Sequence, residues 1–81
     1  MANGWFLLPS QGWVRLAAVT RVAITEQSVD HTGRLDCFCF SVGLYDHTSC
    51  WEYARGAEEA ERNQKAHADL LRALGVGDAP R

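Results

Sequence analysis

The chain has 81 residues, 47% of them hydrophobic and 22% charged, which suits one small folded domain and excludes both wholesale disorder and a second core. Eight basic and ten acidic residues leave a net charge of -2, which supplies neither the basic field that holds nucleic acid nor the dense acidity of a nucleic-acid mimic. No apolar run approaches a membrane span, and the opening "MANGWFLLPSQGW" lacks a charged start followed by a long apolar segment, so a cytoplasmic protein without a membrane anchor is expected.

In chain order, "WFLL" at 5–8 is an apolar run closed by Pro9, Ser10 and Gly12, all turn formers. It reads as a short strand or an apolar arm over residues 1–12. From Trp13 the run "WVRLAAVTRVAITEQSV" is rich in β-branched residues and reads as a strand bent near Ala17 and Ala18. "DHTG" then breaks the pattern, and a three-residue loop of His31, Thr32 and Gly33 places glycine where a left-handed backbone is needed. Pairing across that loop sets Val22 against Val42, Ile24 against Phe40 and Thr20 against Leu44.

"LDCFCFSVGLY" alternates with period two. A two-residue loop at Asp46 and His47 before "SCWEYA" would put Trp51 opposite Val42 and Tyr53 opposite Phe40. Phe38, Phe40, Val42, Leu44, Trp51 and Tyr53 then form the core face. After Arg55 and Gly56 the composition turns helical over 56–75, with Glu58 and Glu59 in the first turn, Arg72 in the last and Gly75 as the C-terminal cap. Its inward stripe runs through Ala57, Ala60, Gln64, His67, Leu70, Leu71 and Leu74, and Glu58–Arg62 and Glu61–Lys65 are spaced for ion pairs on the outer face. His67 reads as a half-buried structural histidine. Residues 76–81 are a tail. The expected fold is α+β in a single domain, 1–81: a small antiparallel β-sheet, with a three-strand meander over 13–55 and a short N-terminal strand, packed on one C-terminal α-helix.

The three cysteines are an odd number, which in a reducing compartment means free thiols. A zinc reading would recruit Cys37, Cys39, His47 and Cys50. In the expected hairpin Cys50 lies opposite Gly43, roughly 13 Å along the strand from Cys39, whereas zinc ligands must converge to about 2.0–2.3 Å from one ion. No metal, cofactor or disulfide is therefore expected, and the cysteines read as small apolar strand residues. The chain also carries no phosphate loop, dinucleotide fingerprint, zinc-protease helix or nucleophile elbow. The expectation is a protein that is not an enzyme.

On the sheet face opposite the aromatic core this reading places Arg21, Ala23, Cys37, Cys39, Ser41 and Gly43, with Cys50 and Glu52 from the last strand. A solvent-facing sheet usually carries long charged side chains, so a face this small suits close packing by "WFLL", by a second copy or by a protein partner. Homo-oligomerisation and protein binding are the expectation, carried by Trp5, Trp13 and Tyr45 as exposed aromatics and by Arg21, Cys39 and Cys50 on the small-residue face. A second reading is an oligomeric protein that sequesters a small nucleotide-like ligand with Arg15, Arg21, Arg34 and Arg55. A third, nucleic-acid regulation, is disfavoured by the charge.

The succession of "WVRLAAVTRVAI", a turn and strand, "CWEYA", and a helix opened by "EEAE" and closed by "LLRALG" resembles small strand-strand-strand-helix accessory proteins of bacteriophages and mobile elements, over residues 13 to 75. The resemblance implies a protein that binds and blocks a host factor, such as a component of a defence system. It carries over no individual functional residue.

Overall fold

Turn geometry decides which side chains each strand buries, and in the computed structural model, which describes residues 4–75, two antiparallel sheets and one helix result. β1 (Trp5–Leu8) and β2 (Gly12–Arg15) pair as a hairpin, Leu7 opposite Trp13 and Leu8 opposite Gly12. Leu16–Ala18 is a short 3-10 turn. β3 (Val19–Val29), β4 (Leu35–Leu44) and β5 (Ser49–Glu52) follow as a meander with β4 in the centre. α1 (Ala57–Leu74) ends on Gly75 in the left-handed conformation, whose N–H donates to the Arg72 and Leu71 carbonyls. This is the small α+β architecture that the pattern implied. The strand expected from Trp13 onward is instead divided by the 3-10 turn, so that its first part pairs with "WFLL" in a separate sheet.

The turn between β3 and β4 forms as expected, with Gly33 at φ 88° and its N–H donating to the Asp30 carbonyl at 3.0 Å. Val22–Val42 and Ile24–Phe40 pair, but Val19 rather than Thr20 meets Leu44. A second irregularity between Ile24 and Glu26 sets Glu26, not Thr25, across from Cys39.

The next turn overturns an expectation. It holds three residues, Tyr45 to His47: the Leu44 N–H donates to the Thr48 carbonyl and the His47 N–H to the Leu44 carbonyl, each at 2.9 Å. His47 takes the left-handed conformation, at φ 73°, that glycine takes in the first loop. Asp46 holds the turn by accepting from the Thr48 hydroxyl at 2.6 Å and the Thr48 N–H at 3.0 Å. These bonds keep its carboxyl below the usual carboxylate range, the hydroxyl contributing most. One added loop residue inverts every side chain of the following strand. Cys50 therefore faces Val42 and Glu52 faces Phe40. Trp51 and Tyr53, expected in the core, stand 44% and 68% exposed, while Glu52 is 1% exposed.

The core is built from Leu8 and Val14 of the hairpin, Phe38, Phe40 and Val42 of β4, and Ala60 and Leu70 of α1. The hairpin thus packs on the helix side of the meander and does not lie over the cysteine-bearing face. Its turn is tied to β5, where Glu52 accepts from the Ser10 hydroxyl at 2.8 Å and the Ser10 N–H at 3.1 Å. The Gln11 side-chain amide donates to the Trp51 carbonyl at 3.0 Å. From the helix, buried Asn63 donates to the Phe38 carbonyl at 2.8 Å and the Glu52 carbonyl at 3.3 Å. The inward stripe is therefore centred on Ala60, Asn63 and Leu70, with Gln64 exposed. Outside, Asp69 takes both Lys65 and Arg72, and Glu61 reaches across to Arg34 at 3.0 Å. Among the described residues no helix is long and apolar enough to cross a membrane.

Candidate functional site

Two outward surfaces collect the residues singled out by the sequence. On the hairpin, strand alternation sends Phe6, Leu8 and Val14 towards the core and leaves Leu7 and Trp13 exposed as a cross-strand pair. Trp5 and Arg15 form the next pair, with the guanidinium 5.5 Å from the indole centroid, within cation–π range. Tyr45, exposed at the tip of the β4–β5 turn, lines a shallow depression with Arg15, Ala17 and Ala18. Its N–H donates to the Ala18 carbonyl at 2.9 Å, which fixes the turn against the 3-10 segment.

The second surface is the meander face turned away from α1. Along β4 it has the small residues expected, Cys37, Cys39, Ser41 and Gly43. Its β5 margin differs because of the inverted register: Trp51 opposes Ser41, and its ring stacks on Tyr53 with centroids 6.3 Å apart and planes within 10° of parallel. Cys50 is not part of this face. It lies partly buried against the core, which corrects its expected grouping with Arg21 and Cys39. Arg21 does lie on the face, opposite Gly43, in a depression that also includes His47 and Thr48.

Cys39 is on the face but is only 1% exposed, and Cys37 3%. Arg55 and Glu26 close over this end of the strand from opposite sides. One guanidinium nitrogen is 2.9 Å from Glu26, and another is 3.8 Å from the Cys37 sulfur. The two sulfurs approach to 3.9 Å, and together with a Glu26 oxygen they lie within 4.8 Å of one another. Burial, followed by the hydrogen bond and charge of Cys39, pushes the Cys37 thiol up from its ordinary value.

The zinc set considered from the sequence is not assembled, because Cys50 is on the other side of the sheet and His47 is at the turn. Sequence reasoning missed Glu26, whose position opposite Cys39 depends on a strand irregularity; the visible signal was the Cys-x-Cys spacing, which puts both thiols on one strand face. Three of the four arginines proposed for a phosphate ligand have separate engagements, Arg34 with Glu61, Arg55 with Glu26 and Arg15 with Trp5, while Arg21 lies apart from them opposite Gly43. His67 sits between Phe38 and Phe40, with ring centroids 5.4 and 5.3 Å away. Its half-buried position lowers its pKa through desolvation. No family model, curated protein or solved structure matches this chain.

Proposed function

We propose that this chain is a non-enzymatic binding module that engages a protein partner through its exposed aromatic surface. The observation that carries the reading is the outward placement of Leu7, Trp13, Tyr45, Trp51 and Tyr53 in a domain this small. Water contact with grouped large apolar side chains is unfavourable, and such grouping marks interaction surfaces. Leu7, Trp13 and Trp51 rest on hydrogen-bonded strands and Tyr45 on a turn tied to the Ala18 carbonyl, so these side chains are presented in set positions and lose little conformational entropy on binding. The resemblance to accessory proteins of bacteriophages and mobile elements supports a partner of host origin, inhibited or regulated by direct contact. Self-association through the same surface is the other use of it.

The test compares the full chain with two double variants, Leu7→Ser/Trp13→Ser and Trp51→Ser/Tyr53→Ser. Solution mass by light scattering and capture from an extract of the native host are measured for all three. The reading expects a defined complex, with itself or with one host protein, that one double variant loses while circular dichroism shows its fold intact. A chain that remains monomeric and captures the same proteins as both variants refutes it.

A further inference from the structure

We propose that Cys37, Cys39 and Glu26 form a binding site for a thiophilic divalent cation of the zinc type, with Arg55 as its displaceable cover. This inference is independent of the protein-binding reading, since none of these residues belongs to the exposed aromatic groups.

Alternate residues of a strand have Cα atoms roughly 6.5–7 Å apart, so sulfurs only 3.9 Å apart are turned towards each other. Two thiolates on a tetrahedral zinc with bonds of about 2.3 Å are about 3.8 Å apart. The pair is nearly at that separation already. A disulfide would need the sulfurs to close to about 2.05 Å and the Cα atoms to come within usual bridge limits, which an extended strand resists.

The strand irregularity between Ile24 and Glu26 places a carboxylate beside the thiols. Regular pairing from Ile24–Phe40 would place Thr25 near Cys39; the shift brings a carboxylate there instead. Such irregularities re-aim side chains at sites. A third ligand, the Glu26 carboxylate, is thereby supplied from the neighbouring strand, within 4.8 Å of both sulfurs. Cys37 and Cys39 are on the central strand, paired with Ser28 and Glu26 of β3, and Cys37 is bridged on its other side by Arg55.

A guanidinium already bridges Glu26 and Cys37, so the cluster receives a cation in its metal-free state. The Arg55 side chain is 67% exposed and can swing into solvent at little cost. Binding then exchanges one cation for another: Zn²⁺ forms two Zn–S bonds and one Zn–O bond, the two thiol protons pass to solvent, and Arg55 leaves Glu26. Because protons are released, affinity rises with pH.

The experiment titrates the reduced, metal-stripped full chain with Co²⁺ and then with Zn²⁺. The expected result is a thiolate-to-cobalt charge-transfer band that saturates at a single equivalent, is bleached by Zn²⁺, and is accompanied by release of about two protons per ion. Cys37→Ser and Cys39→Ser abolish the band, and Glu26→Gln weakens binding by about tenfold or more. Cys50→Ser leaves it unchanged, since that thiol is on the core side. Arg55→Ala, an exposed change that does not depend on refolding of the core, tightens Zn²⁺ binding. No band in the native chain, a band that survives in the Cys37→Ser/Cys39→Ser variant, or a band that Cys50→Ser removes would overturn the proposal.

Discussion

The register of β5 can be tested by two adjacent substitutions whose costs change order if the strand slips by one residue. In the observed register Tyr53 is 68% exposed, and its main contact is the stack on Trp51. Tyr53→Ala therefore removes an aromatic pair worth about 0.5–1.5 kcal/mol and little burial. Glu52 is 1% exposed and its carboxylate receives the Ser10 N–H and hydroxyl. Glu52→Ala loses these bonds, each worth about 0.5–1.5 kcal/mol net, and the burial of its γ-methylene, about 0.8 kcal/mol. The sum is about 2–4 kcal/mol. With a two-residue turn the order reverses: Tyr53 would be opposite Phe40 in the core, where truncation costs about 3–5 kcal/mol, and Glu52 would be a surface residue whose loss costs within about 0.5 kcal/mol. Urea unfolding followed by far-ultraviolet circular dichroism measures both variants without relying on the altered aromatic signal. A larger loss for Tyr53→Ala than for Glu52→Ala would refute the register, and with it the outward position of Trp51.

Burial holds His67 below the ordinary imidazole value, so the unfolded chain binds a proton more readily than the folded one. Its stabilisation is full above the unfolded value of about 6.5 and is lost as the pH falls towards and through the lowered folded value. His67→Leu should flatten the fall in urea midpoint between about pH 7 and pH 5; an unchanged slope would show that other groups govern it. Asn63→Ala should cost about 1–3 kcal/mol, because it leaves the buried Phe38 carbonyl without its side-chain donor, and a loss within 0.5 kcal/mol, about the scatter of surface changes, would count against that role. His47→Gly should stabilise by up to about 1 kcal/mol, as relief of the left-handed backbone outweighs the added freedom of the unfolded chain. A lowered thermal midpoint would mean that the imidazole makes a compensating contribution.

The periodicity of the chain was enough to determine that it forms an antiparallel meander followed by one helix. Alternation in "CFCFSV" separates Phe38, Phe40 and Val42 from Cys37, Cys39 and Ser41 whatever the loops do, because side chains of a strand alternate by covalent geometry. Gly33 and Gly75 likewise announce their left-handed positions, since glycine alone adopts them without a Cβ penalty. What lies beside those faces was decided by tertiary structure. The β4–β5 turn contains no glycine to mark its third residue, and His47 accepts the strained position only because the Asp46–Thr48 bonds and the docking of Tyr45 on Ala18 hold the loop. That single residue inverts β5, moving Trp51 and Tyr53 to the surface and Glu52 into contact with Ser10. The shift after Ile24 that aligns Glu26 with Cys39 has the same character: an unpaired strand residue costs local hydrogen bonding and is stabilised by the packing around it. Periodicity fixes which residues share a strand face. Only the assembled sheets fix which residues meet across one.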